Sequence, residues 1–202
     1  MMNPLNSVRG SIITAFVLAA LLSVVLTLSG DGSISFNTAQ IVRWLHIVVG
    51  VMWIGLLYYF NVVQVPGMAD AAADKGGPGG AGVSKYIAPR ALWWFRWAAV
   101  FTWITGAYYL MFGFGEVAAI HKAFLLQDGF RTIGVGAWLG TIMLFNVWVL
   151  IWPNQKKILG MVAATDDEKA KARKVALMAS RTNFVLSVPM IMCMAGSHGL
   201  PF

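Results

Sequence analysis

Residues 41–65 read IVRWLHIVVGVMWIGLLYYFNVVQV, and Arg43 is the one formally charged side chain in the stretch. A helix needs roughly 20 mostly apolar residues to cross the hydrocarbon core of a bilayer, so this stretch is long enough to span. Outward from it, residues 12–28, 91–112, 132–152 and 175–195 qualify in the same way. The expected fold is therefore all-α: a polytopic membrane helical bundle of about five transmembrane helices, with residues 1–202 forming one transmembrane domain. Residues 12–28 also resemble a signal peptide. Their apolar run is longer than a typical signal core and no small-x-small site precedes Asp31, so a retained helix is expected.

Composition agrees. The chain is 58% hydrophobic and 11% charged, against roughly 25% charged in soluble domains; its mean hydropathy is +0.70. Aromatic residues make up 13%, which suits interfacial belts. A net charge of +7 would point to nucleic acid in a soluble protein. Here the cations sit in loops, so they report topology and no nucleic-acid partner is expected. A single cysteine, Cys193, excludes an internal disulfide, a CxxC metal site and CxxCH haem attachment.

With the N-terminus inside, Arg9, Lys75, Lys85, Arg90, Arg96, Lys156, Lys157, Lys169, Lys171, Arg173, Lys174 and Arg181 fall on the cytoplasmic side. Arg43, Lys122 and Arg131 fall outside. Twelve against three sets the orientation as N-in/C-out. Residues 67–90, with Lys75-Gly-Gly-Pro-Gly-Gly-Ala-Gly82, read as a flexible cytoplasmic loop. Residues 115–127 are amphipathic and read as an outer interfacial segment. Thr165-Asp-Asp-Glu168 is a capping box, which starts the last helix near Asp166 and makes 153–180 a cytoplasmic helical extension.

The topology places all three histidines on the outer side: His46 in the second span, His121 in the interfacial segment and His198 after the last span. Ionisable groups in spans are costly and mark functional sites. Arg43, His46, Gly50 and Trp53 follow i, i+3, i+7, i+10 spacing and form one helical stripe. A neutral imidazole suits a metal, glycine one turn on leaves room for a flat macrocycle, and arginine one turn outward suits a propionate. That is a b-type haem arrangement. The alternative on spacing alone is a histidine bonded to a neighbouring helix, with Gly50 serving helix packing.

His198 reads either as a second ligand or as a frayed terminal residue, and His121 as an interfacial polar residue. Met190, Met192 and Met194 alternate, so they do not share one helix face and read as core; Met194, one turn from His198, is a fallback axial ligand. Pro189 is expected to kink the last helix. Arg181 and Asn183 enter the membrane from inside and suit a lipid headgroup or a quinone, with snorkelling the plainer reading for Arg181. The sequence shows no paired carboxylates, phosphate loop or hydrolytic triad. Its eight acidic residues lie in loops or helix ends, which argues against a proton-pumping relay.

Arg43-Trp-Leu-His46-Ile-Val-Val-Gly50-Val-Met-Trp53-Ile-Gly55 resembles the start of the membrane domain of bacterial urate oxidase of the PuuD type, a cytochrome c-linked urate dehydrogenase. Leu139-Gly-Thr-Ile-Met143, Asn146, Pro153-Asn-Gln-Lys156, Asn183, Pro189 and Ser197-His198 follow that family's pattern in order. Lys85-Tyr86, Ala88-Pro89, Trp94-Phe95-Arg96 and Thr102-Trp103 fit its middle. The first motif is also similar to membrane protoporphyrinogen oxidase of the HemJ type and to CopD-like copper proteins. The resemblance implies a haem b cofactor held by His46, with His198 or Met194 opposite, and a periplasmic cytochrome c or a larger respiratory complex as electron partner. There are departures: about five spans in place of eight, no cytochrome c domain in the sequence, and Gly134 where the family has histidine before Val135-Gly-Ala.

Three functions are weighed. The first is a b-type haem membrane protein in electron transfer near the periplasmic face, an oxidoreductase component. The second is a non-catalytic accessory subunit of a larger respiratory or oxidoreductase complex. The third, a transporter or copper-handling protein, lacks the paired broken helices or intramembrane acid it would need. Association with copies of itself is compatible with each of them.

Overall fold

Lipid-facing helices invert the usual surface rule, and the last helix displays the inversion. In the computed structural model, which describes residues 3–29, 37–115 and 117–196, this helix buries Asn183 and Ser187 completely while Val185 is 68% and Val188 60% exposed. Soluble proteins rarely leave large contiguous apolar surface in water, so a face of this kind calls for lipid.

Among the described residues the chain is 85% helical and has no strand. The helices are α1 (Val8–Ser29), α2 (Thr38–Tyr58), α3 (Val65–Ala73), α4 (Ala88–Phe112), α5 (Ala119–Phe124), α6 (Arg131–Phe145), α7 (Trp152–Ile158) and α8 (Asp166–Ala195). Four helical rods among the described residues are long and apolar enough to cross a membrane: Val8–Ser29, Thr38–Ala73, Arg131–Ile158 and Asp166–Ala195. The fifth expected span corresponds to α4. It has 25 residues, so it is long enough, but its tryptophans, tyrosines, Arg90 and Arg96 keep it out of the set that also meets the hydropathy requirement.

The chain divides into two compact units. Met1–Thr38 holds α1, none of whose residues is buried. Ala39–Phe202 holds the other helices. Its core joins Trp53, Leu57 and Phe60 to Leu92, Phe95, Ala98 and Ala99 of α4, and to Met143, Val147, Ile151, Ala179 and Met190. Phe60 meets Phe95 edge-on with ring centroids 5.4 Å apart. α6 and α8 approach closely at Gly136, where an added Cβ would stand 3.1 Å from Cys193 Cβ. Close packing and polar contacts, more than apolar transfer, hold helices together in lipid.

Three π-helical turns share one cause. They lie at Tyr59–Gln64, Val83–Ile87 and Asn146–Ile151, just ahead of Pro66, Pro89 and Pro153. Proline has no N–H, and its ring collides with the carbonyl four residues back. Widening the turn by one residue relieves this. In each case the residue before proline donates five residues back: Val65 to Phe60, Ala88 to Val83 and Trp152 to Val147. α8 contains Pro189 without a π turn ahead of it and is assigned as one α-helix from Asp166 to Ala195.

The non-helical stretch of the glycine loop is narrower than residues 67–90. Helix runs to Ala73 and the chain is helical again before the π turn at Val83, with Gly79 at φ 66° in the turn between. At the other connection the capping box is formed. The Thr165 side chain accepts from the Glu168 N–H at 3.3 Å, and the Glu168 carboxylate accepts from the Thr165 N–H at 2.8 Å. That backbone bond, then the Thr165 hydroxyl and the charge of Lys157, hold the Glu168 carboxyl below its ordinary range. Because the folded pKa is the lower one, the contribution is full above the unfolded carboxylate range and is lost as pH falls through the folded value. Thr165→Ala is expected to speed amide exchange in the first turn of α8 about fivefold. Hydrogen-exchange mass spectrometry reads this directly, and unchanged exchange in that turn would contradict it.

Candidate functional site

The stripe on α2 packs against α4. His46 Nδ1 lies 2.8 Å from the Thr102 carbonyl and 3.3 Å from Thr105 Oγ1. A carbonyl only accepts, so Nδ1 carries the proton and Nε2 carries the lone pair. No described residue bonds to Nε2. Thr102 and Thr105 spend their own hydroxyl protons on Ala98 O (2.7 Å) and Phe101 O (2.6 Å).

Glycine at 106 is what seats the ring. A Cβ there would stand 2.8 Å from His46 Cε1 and 3.1 Å from Nδ1, closer than real Cβ contacts. One turn further along α2, a Cβ on Gly50 would come 3.7 Å from Thr102 Cγ2, an ordinary contact. Gly50 therefore faces α4 across a normal packing distance. One turn the other way, the Arg43 guanidinium sits 5.8 Å from the centre of the Tyr109 ring. Trp53 is 1% exposed, and its indole N–H is buried without an acceptor among the described residues. Arg43, His46, Gly50 and Trp53 thus share one face, as their spacing requires.

The other sequence-derived residues are placed elsewhere or not described. Met194 packs on α6: a Cβ on Gly136 would lie 3.3 Å from its Cε and 3.5 Å from its Sδ. His198 lies outside the described residues. His121 is exposed on α5, whose Ala119 and Ala123 are fully buried. Gly134, where the resemblance would have histidine, has no room for any side chain, because a Cβ would collide with the Ala123 carbonyl. Arg181 is exposed on α8, whereas Asn183 is fully buried, so the two do not form a shared site for a headgroup or quinone. No group of three or more His, Cys, Asp or Glu arranged to hold a metal ion occurs among the described residues.

A polar seam that spacing does not reveal runs down α8. Asn183 Nδ2 donates to the Met143 carbonyl at 2.9 Å, and its Oδ1 accepts from Asn146 Nδ2 at 2.8 Å. Asn61 Nδ2 donates to Leu57 O and to Ser180 Oγ, both at 2.9 Å. Ser187 Oγ lies 2.7 Å from Phe184 O and 3.1 Å from Tyr58 Oη. Having given its proton to the carbonyl, Ser187 accepts from the tyrosine. Asn61 and Asn146 both stand on π turns, so the prolines that widen those turns also lie beside the residues that bond to α8. The available signals were an asparagine within an apolar run and a proline five to seven residues on.

No curated protein and no solved structure matches the chain. Asn146, Pro153, Asn183 and Pro189 all fall within residues 110–201, while His46 precedes that segment. Residues 110–201, a little under half of the chain, match the family described as urate oxidase N-terminal, so this segment is similar to that family.

Proposed function

We propose that this chain is a b-type haem membrane protein taking part in electron transfer, a urate-related membrane component with His46 as an axial ligand. The observation that carries the reading is the 2.8 Å bond from His46 Nδ1 to Thr102 O. Metal-ligating histidines characteristically donate their other ring N–H to a carbonyl or carboxylate, which fixes the tautomer and turns the free nitrogen toward the metal. Gly106 supports the reading because it leaves the imidazole its seat. Trp53 supports it through a buried N–H that still lacks an acceptor. A bound haem b supplies reversible one-electron iron chemistry.

The chain's own residues divide the remaining work. His46 would hold iron through Nε2, Thr102 and Gly106 hold the imidazole, and Arg43 would offer its guanidinium to a propionate. Met194 or His198 would supply a second ligand. The bias of cations, with Arg43 on the sparse side, supports a site near the periplasmic face and a periplasmic cytochrome c or respiratory complex as partner. The match to the urate oxidase N-terminal family supports the urate-related setting.

A pyridine haemochrome assay on the detergent-purified chain tests the proposal. The expected result is extractable b-type haem in stoichiometric amount. Monodisperse, helical protein without haem would overturn it and leave the accessory-subunit reading in its place.

A further inference from the structure

Arg96 lies eight residues into α4, about 12 Å along the helix from its start. A cation at that depth in a membrane-facing helix needs a partner. The ion pairs between described residues are Arg131–Asp128 and Lys169–Asp166, so Arg96 has none. Its Nε is buried without an acceptor among the described residues. Its guanidinium instead stacks 3.7 Å from the centre of the Trp152 ring, and Lys156 Nζ lies 5.8 Å from the same centre. The two charges are therefore within about 10 Å of each other.

An indole face attracts cations through its quadrupole but carries no net charge. Two cations gathered on one indole repel, and low dielectric strengthens that repulsion. The arrangement is complete when an anion stands between them. A phosphate oxygen pair fits the guanidinium fork, and a further oxygen suits an ammonium. The geometry points to a seat for a phosphate group formed by Arg96, Trp152 and Lys156, filled by the headgroup of an anionic phospholipid. The cluster stands where the polypeptide leaves the spans toward its basic connections, the zone in which lipid phosphates lie.

The test uses the full chain in detergent, with thermal unfolding followed against added phosphatidylglycerol, phosphatidylcholine or inorganic phosphate. Phosphatidylglycerol is expected to raise the midpoint more than phosphatidylcholine. Arg96→Gln and Lys156→Gln are each expected to raise the half-saturating phosphatidylglycerol concentration about fivefold, and Arg96→Lys to recover part of the loss. Lys156→Gln, at a half-buried position near the end of α7, keeps the test open if Arg96→Gln does not fold. An unchanged phosphatidylglycerol response in the variants, or equal responses to both lipids, overturns the site. Equal stabilisation by inorganic phosphate at matched concentration overturns the lipid as its source.

Discussion

Replacing His46 with alanine is expected to lower haem content by more than tenfold while helix content and detergent stability stay close to those of the parent chain. Without a CxxCH motif, ligation and packing alone retain the haem, so loss of the protein ligand removes most of its hold. The fold loses little. His46 contributes a hydrogen bond from Nδ1 to Thr102 O, and interhelical bonds in membranes average about 0.6 kcal/mol. Gly106→Ala is the companion variant. Its Cβ would meet His46 Cε1 at 2.8 Å, and the imidazole yields more easily than backbone. Disturbing the support of a metal ligand costs about 10–100-fold in metal affinity or activity, so haem content should fall in Gly106→Ala even though the ligand is still present. Retained haem in His46→Ala contradicts the assignment.

The largest stability effect is expected at Asn183. Asn183→Leu is close to isosteric but removes two bonds and leaves Asn146 Nδ2 without its acceptor, while the Met143 carbonyl keeps only its bond from the Asn146 backbone N–H. A buried polar group left unsatisfied costs about 1–3 kcal/mol, and relaxation within the bilayer holds the total near 2 kcal/mol. Asn146→Leu should be destabilising for the same reason. The double variant should cost less than the two single costs added together, because removing both partners leaves fewer unpaired groups than removing one. A double-mutant cycle of unfolding in mild detergent checks this. Strict additivity would show that the two asparagines are not coupled.

Much of the fold was legible because apolar length is a strong signal. Each of the rods follows from the bilayer requirement alone, and Thr165 and Glu168 announce their helix start by residue type and spacing. The stripe from Arg43 to Trp53 was legible for the same reason: helical period fixes which residues share a face. What that face meets was not legible. Nothing in the spacing of α2 says that Gly106, sixty residues on, will be the residue that leaves room for the imidazole. The π turns were missed although each precedes a proline, because an isolated proline reads first as a helix start or a kink. Asn183 was read with Arg181 as a membrane-entry pair. On a helix, residues two apart point in different directions, and the structure buries one and exposes the other.

If His46 Nε2 holds haem iron, the haem spectrum depends on that side chain. The most direct measurement is the oxidised and dithionite-reduced absorbance spectrum of the purified chain, recorded beside His46→Ala at equal protein concentration. The prediction is a Soret band that sharpens and shifts on reduction with a b-type α band in the parent chain, and neither in the variant. Identical spectra from the two proteins, whether both with haem or both without it, would contradict it.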